Sequence, residues 1–147
     1  MEFNIPTSLQ LEHEELHVEL AKAIVVPGKL GEAAQNVATV LEPHFKKEEE
    51  YALPPLGLLP ILAGGKIRPE MRAILLMTDR LKADLPHMLE EHKTIVTALH
   101  DLIQEARKAG LSEHERFAEE LILHAKNEEE VLYPAALLVG EYIKLNK

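Results

Sequence analysis

Two stretches of the sequence carry the same arrangement of histidine, glutamate and proline. HFKKEEEYALP begins at His44 and HAKNEEEVLYP begins at His124, and each has a glutamate four residues after the histidine, at Glu48 and Glu128. Side chains four residues apart lie on one face of a helix, so each pair directs an imidazole and a carboxylate toward one point. Both groups are ligands for metal ions. The spacing therefore favours a metal site.

A second pair of stretches is also repeated. LEHEELHVEL, from Leu11, resembles EEHKTIVTAL, from Glu90, when His13 is aligned with His92. The distance from this histidine to the next repeated histidine is 31 residues in the first half of the chain and 32 in the second. The repeat predicts two helix pairs of the same design, related by an approximate two-fold axis.

The repeated polar residues fall on the apolar faces of the predicted helices. Apolar side chains recur at spacings of three and four residues, as in amphipathic helices. Six polar residues continue these apolar stripes: His13, His44, Glu48, His92, His124 and Glu128. Burying such groups without partners is costly, so six in one core need either a closed hydrogen-bond network or a cation. A single His-x-x-x-Glu pair is more often solvated, but the complete set favours metal binding. Each central glutamate begins a run of three, over residues 48–50 and 128–130, and these runs are called the glutamate triplets. We expect the remaining glutamates of the two triplets to be exposed: Glu49, Glu50, Glu129 and Glu130.

Proline and glycine divide the chain into helical blocks. The predicted helical regions are residues 7–26, 32–52, 69–109 and 112–131, with a continuation over 135–144. We predict capping boxes at Thr7–Gln10 and Ser112–Glu115, and we expect Pro86 to kink or split the third region. The segment Leu53–Gly65 is predicted to be a loop packed on the bundle. The expected fold class is all-α, an up-down four-helix bundle with an extra helical segment before the third bundle helix, forming a single domain over residues 1–147.

The composition excludes several classes of function. There is no cysteine, which rules out disulfides, thiolate metal sites and cysteine nucleophiles. The formal net charge of −9 argues against a nucleic-acid partner. No stretch reaches the ~20 apolar residues of a membrane span, and the N-terminus lacks the pattern of a signal peptide. We therefore expect a cytoplasmic protein with neither a membrane nor a nucleic-acid partner.

The polar set resembles that of the hemerythrin-like (HHE cation-binding) domains. That family has a histidine on the first helix, His-x-x-x-Glu on the second, Glu-His on the third and His-x-x-x-Glu or a close variant on the fourth. The resemblance covers about Leu9 to Pro134. It implies a bundle that holds two non-haem iron ions, bridged by Glu48 and Glu128 and by an oxo or hydroxo group. The residue chemistry alone also permits zinc or manganese.

The sequence departs from the oxygen carriers of that family on the third helix. Those carriers have two histidines one turn apart, whereas Met88 and Val96 lie one turn before and after the only matching histidine here. His17 and His87 are two candidates for the additional ligand, although we favour a surface or supporting role for both. His100 and His114 are predicted to lie at the surface.

The ligand count suggests what the site does. A pair of iron ions with open coordination positions suits binding or sensing of O2 or a related small oxidant, such as NO or peroxide. Two alternatives are an iron storage or donation protein that serves repair, and a structural module that a metal holds together. In the last case Leu53–Leu62 is a candidate surface for a protein partner or for a dimer contact; the chain is expected to be a monomer or a homodimer. An enzyme that acts on an organic substrate is not expected, although redox activity toward peroxide or NO is compatible with the site.

Overall fold

The computed structural model describes residues 1–146 and contains six α-helices. They are α1 (Thr7–Ile24), α2 (Lys29–Lys47), α3 (Leu59–Ala63), α4 (Leu75–Ala109), α5 (Ser112–Asn127) and α6 (Tyr133–Leu145). Helix α1 packs on α2, α2 on α4, α4 on α5 and α5 on α1, so these four close a ring. The connections from α1 to α2 and from α4 to α5 are short, which makes these neighbours antiparallel. The predicted all-α four-helix bundle is confirmed.

Helix α4 ends at a glycine, whereas the polar caps predicted at the starts of α1 and α5 do not form. Gly110 ends α4 in the left-handed region at φ 69°, a conformation that glycine adopts without a steric penalty. The two predicted capping boxes are wrong. Helices α1 and α5 begin at Thr7 and Ser112, but the residues preceding them, Pro6 and Leu111, occupy the cap positions and no side chain caps either end.

Most of the segment over residues 53–65 is helical, which corrects the predicted loop. A 3-10 turn covers Pro54–Leu58, α3 follows it, and a second 3-10 turn covers Pro69–Ile74 before α4. Proline is well suited to the first turn of a helix because the N–H that it lacks has no partner there. Leu53, Leu56 and Leu58 are buried, so the segment packs on the bundle, while Leu59 is exposed.

Pro86 does not split α4. The helix is continuous over its 35 residues, with Leu81 and Met88 fully buried on either side of the proline. Pro86 itself is exposed, as is Lys82 one turn earlier. The carbonyl group that loses its donor therefore lies on the solvent side, where water satisfies it.

Two π-helical segments occupy equivalent positions in the repeat. They cover Glu48–Ala52 and Glu128–Leu132, directly after α2 and α5. In each, the N–H five residues on donates to the carbonyl of the first glutamate: Leu53 to Glu48 and Tyr133 to Glu128. A proline follows each segment and cannot donate to the preceding turn, which gives a physical reason for the change in hydrogen-bond register.

The apolar core forms separate clusters with polar residues between two of them. Along α4, Met88 belongs to one cluster and Ile95 to another, and His92 lies between them. Leu41 of α2 belongs to the cluster that contains Ile95, and Tyr51 of the following π-segment belongs to the cluster that contains Met88. The polar side chains therefore form a layer inside the bundle. Within residues 1–146, no helix has both the length and the apolar character needed to cross a membrane.

Candidate metal centre

All six polar residues that the apolar stripes pointed to are buried. Their exposed fractions are 4% for His13, 1% for His44, 0% for Glu48, 2% for His92, 6% for His124 and 1% for Glu128. The side chains come from α1, α2, α4 and α5 and from the first residue of each π-segment. Each long helix of the ring therefore contributes one histidine to the polar layer.

Glu128 joins the histidines into two groups. His13, His124 and Glu128 form one group and His44, His92 and Glu128 the other, with their ligand atoms all within 4.8 Å of one another in each. Its Oε1 atom lies 3.2 Å from Nε2 of His92, and its Oε2 atom lies 3.3 Å from Nε2 of His124. One carboxylate thus offers one oxygen to each group, which is the geometry of a bridging ligand.

Glu48 faces the same two groups from the opposite half of the repeat. Its Oε1 atom is 3.9 Å from Nε2 of His13 and 3.7 Å from Nε2 of His44. Its Oε2 atom accepts a hydrogen bond of 2.9 Å from the Tyr133 hydroxyl. Glu48 belongs to neither compact group, but its free oxygen lies between one histidine of each.

The hydrogen-bonding of these atoms fits a cation. Oε1 of Glu48, Nε2 of His124 and Oε2 of Glu128 are buried and have no hydrogen-bond partner within the described residues. Nε2 of His44 and Nε2 of His92, by contrast, lie within hydrogen-bond distance of each other at 2.9 Å. Buried polar atoms are rarely left unpaired, and the three unpaired atoms offer lone pairs toward the same polar layer. Metal ions would satisfy them together, so the residues fit the metals that the resemblance implies.

Carboxylates hold the outer nitrogen of the imidazoles in a pattern that follows the repeat. Nδ1 of His44 lies 3.1 Å from Glu91, and Nδ1 of His124 contacts Glu12. These two glutamates directly precede the histidines of α4 and α1. A carboxylate on Nδ1 fixes the tautomer and directs the Nε2 lone pair inward, as around many metal sites.

The second members of the two glutamate triplets complete the pattern. Nδ1 of His92 lies 3.0 Å from Glu129, which is half-buried and not exposed as predicted. Glu49, its counterpart, is exposed and lies 4.0 Å from Nδ1 of His13. Sequence reasoning missed these supporting residues, although each is the chain neighbour of a predicted ligand.

The surroundings shift the pKa values of the four imidazoles in opposite directions, although burial lowers all of them. Burial, and after it the neighbouring His124, lowers the pKa of His13 to about 4. Burial also lowers the pKa of His44. It opposes the charge on His92 and His124 too, but Glu128, together with Glu129 beside His92 and Glu12 beside His124, outweighs it and raises the pKa of both. Glu128 is therefore the dominant negative charge of the site.

The pKa values of the two central carboxyl groups, Glu48 and Glu128, are shifted in opposite directions. Burial, and then the negative Glu128, raises the pKa of Glu48 well above its usual range. Burial acts in the same direction on Glu128, but the proximity of the Glu48 carboxyl group, and then of His124 and His92, lowers its pKa below the usual range. Burial and both carboxyl groups raise the pKa of Tyr133, whose hydroxyl donates a hydrogen bond to Glu48.

Neither candidate for an additional histidine reaches the polar layer. His17 is exposed, with its ring edge against Phe45, and His87 is exposed and faces Glu91 at 3.8 Å. His100 is exposed as predicted, whereas His114 is 4% exposed and the surface prediction for it is wrong. Helix α5 begins two residues before His114, and the inward side of that first turn is packed against the bundle.

A ring of four helices with two buried His/Glu groups in its interior defines a cation-binding helical bundle. The chain belongs to the hemerythrin family, whose model for the hemerythrin HHE cation-binding domain matches residues 5–136. Comparison with curated proteins and with solved structures gives no match to this chain.

Proposed function

We propose that this protein holds two iron ions in its polar layer and uses them to bind or sense O2 or a related small oxidant such as NO or peroxide. The observation that carries the proposal is the position of Glu128, which directs one oxygen to each histidine pair. A single structural metal would need only one such group. Two groups that share a carboxylate support a dinuclear centre.

The donor set supports iron without requiring it. Imidazole nitrogen and carboxylate oxygen suit iron, manganese and zinc, and no thiolate is present to favour a softer ion. Membership of a cation-binding family supports a metal, and the resemblance to its di-iron members supports iron in particular. When bound, a pair of irons supplies electron transfer and coordination positions that a small oxidant can reach.

The protein residues have three tasks in this proposal. The four Nε2 atoms and the two central carboxyl groups hold the metals. Glu12, Glu91 and Glu129 keep the imidazole rings oriented through Nδ1. The apolar clusters on either side of the layer limit access of water and of large polar molecules. Small, weakly hydrated ligands are therefore favoured over organic substrates.

Metal analysis together with optical spectroscopy tests the proposal. The protein is loaded anaerobically with ferrous iron, metal per chain is measured, and spectra are recorded before and after air, NO and peroxide. We expect about two irons per chain and a spectral change with at least one ligand. Loss of iron on oxidation would favour iron donation instead. Tight binding of one zinc ion, with no spectral response after iron loading, would support a structural module and refute the proposal.

A further inference from the structure

The Tyr133 hydroxyl lies among the ligand atoms of one metal group. It is 3.1 Å from Nε2 of His44, 3.1 Å from Nε2 of His92 and 2.9 Å from Oε2 of Glu48. The side chain is 1% exposed. A buried tyrosine needs one hydrogen-bond partner, whereas this hydroxyl meets three atoms that are directed toward a metal. The hydroxyl oxygen is therefore placed to bind a metal held by His44 and His92, in addition to donating a hydrogen bond to Glu48.

The π-segment explains how Tyr133 reaches this position. The Tyr133 N–H closes the five-residue hydrogen bond to the Glu128 carbonyl. An α-helix has 3.6 residues per turn, and the extra residue of a π-turn rotates the following side chains around the axis by about 100°. The turn that begins at the shared carboxylate therefore also sets the direction of the tyrosine ring.

The other metal group has no equivalent oxygen. Aligning the two repeated stretches pairs Tyr133 with Leu53, an apolar residue that is 1% exposed in a neighbouring cluster. The structure therefore adds a donor to the His44–His92 pair and none to the His13–His124 pair. The six predicted ligands match between the two halves of the repeat, whereas the position of Tyr133 and Leu53 does not.

Surface cavities reach the group that lacks the tyrosine. A cavity of about 300 Å³ is lined by His13 together with Leu9 and Glu49. A second, of about 420 Å³, is lined by His124 together with Glu12. Each cavity has one histidine of the same pair in its wall, whereas His44 and His92 line neither of them.

We propose that the Tyr133 hydroxyl oxygen is an additional ligand of the metal at His44 and His92, so that an external ligand binds the metal at His13 and His124. The inference rests on the proposed dinuclear centre. On coordination the metal–oxygen bond forms, the O–H bond breaks, and the proton is released to solvent, as metal binding to protonated ligands requires. Tyr133 then has the closing role that neither His17 nor His87 is placed to fill.

The test compares Tyr133→Phe with Tyr51→Phe in the iron-loaded full-length chain. Tyr51 is a matched control because it is also buried, but its hydroxyl donates to Asp84 away from the metal groups. In the oxidised wild type and in Tyr51→Phe we expect a visible charge-transfer band from tyrosinate to ferric iron, with tyrosinate ring modes in the resonance Raman spectrum. Tyr133→Phe should lose both signals while retaining iron.

Azide titration tests which metal is open. We expect one azide per two irons in the wild type and in Tyr51→Phe, and two per two irons in Tyr133→Phe. A wild type that binds two irons but shows no tyrosinate signal overturns the inference and leaves the proposed function intact. An unchanged azide count in Tyr133→Phe also overturns it. Failure of the wild type to bind two irons overturns the proposed function and this inference together. The Raman measurement on the wild type decides the matter even if Tyr133→Phe does not fold.

Discussion

Replacing Glu128 with alanine should remove both metals at once, although Glu128 is a single residue. Its carboxylate is the only side chain shared by the two compact ligand groups within the described residues, with one oxygen about 3 Å from a histidine of each. A terminal ligand would cost one metal and leave the other. Glu128→Ala should therefore reduce iron from about two per chain to well below one. We expect the same of Glu48→Ala, because its free oxygen also lies between the two groups.

The loss of metal binding should be measurable as a smaller increase in Tm when iron is added. A metal that binds only the folded state stabilises it by about 2.7 kcal/mol at a concentration 100 times its Kd, so two such metals give about 5 kcal/mol. For a chain of 147 residues, each kcal/mol shifts Tm by about 2–4 °C. Iron should therefore raise the Tm of the wild type by about 10–20 °C relative to the protein in chelator. The rise should nearly vanish in Glu128→Ala.

Comparing each variant with itself, with iron and with chelator, separates metal loss from damage to the fold. Glu130→Ala is the matched control, since Glu130 belongs to the same triplet and is exposed. It should retain two irons and the full rise in Tm. The bridging role is refuted if Glu128→Ala keeps one iron at full occupancy, or if iron still raises its Tm by half of the wild-type value or more.

Three further predictions concern single elements of the site and its surroundings. His44→Ala should lose one iron and keep the other, because His44 belongs to one ligand group only; metal analysis checks this. Glu91→Gln should keep two irons at saturation but bind them about 10–100-fold more weakly in competition with a chelator, because the charge that orients His44 is removed. Asp84→Asn should reduce the free energy of unfolding by about 1.5–3 kcal/mol at pH 7, because Asp84 accepts a hydrogen bond from Tyr51 and faces Lys47 at 3.5 Å. Although burial opposes it, these partners lower the pKa of Asp84 below 3.8, so the stabilisation is present above pH 3.8 and is lost as the pH falls through the lower folded-state value. Denaturant unfolding at several pH values should show the difference between wild type and variant shrinking in acid.

The central part of the site is visible in the sequence because it follows regular α-helical geometry. His13, His44, His92 and His124 continue apolar stripes, and a side chain on such a stripe is buried whatever its polarity. The repeat adds the expectation that the four lie at one level. Burial of the set could therefore be predicted, together with the four-helix architecture that causes it.

The remainder of the site depends on geometry that a regular helix does not contain. Extrapolating 100° per residue beyond Glu128 places Tyr133 on the wrong face, because the π-segment adds a residue to that turn. The contacts of Glu91 with His44 and of Glu129 with His92 cross between helices, so they depend on how the helices pack. Spacing along one helix carries no such information.

The differences between the two halves matter more for function than their likeness. The matching histidines and glutamates give two groups that are nearly equivalent, and equivalence alone provides no reason for a ligand to prefer one. Two replacements break it: Tyr133 in place of Leu53 next to His92, and Phe45 in place of Ala125, stacked on His13 at 4.2 Å between ring centres. The first adds a hydroxyl oxygen beside His44 and His92, and the second adds an apolar ring stacked on His13, which lines a surface cavity. Under the proposed function, a chain built from a repeat thereby acquires one position that closes around its metal and another where a small ligand binds.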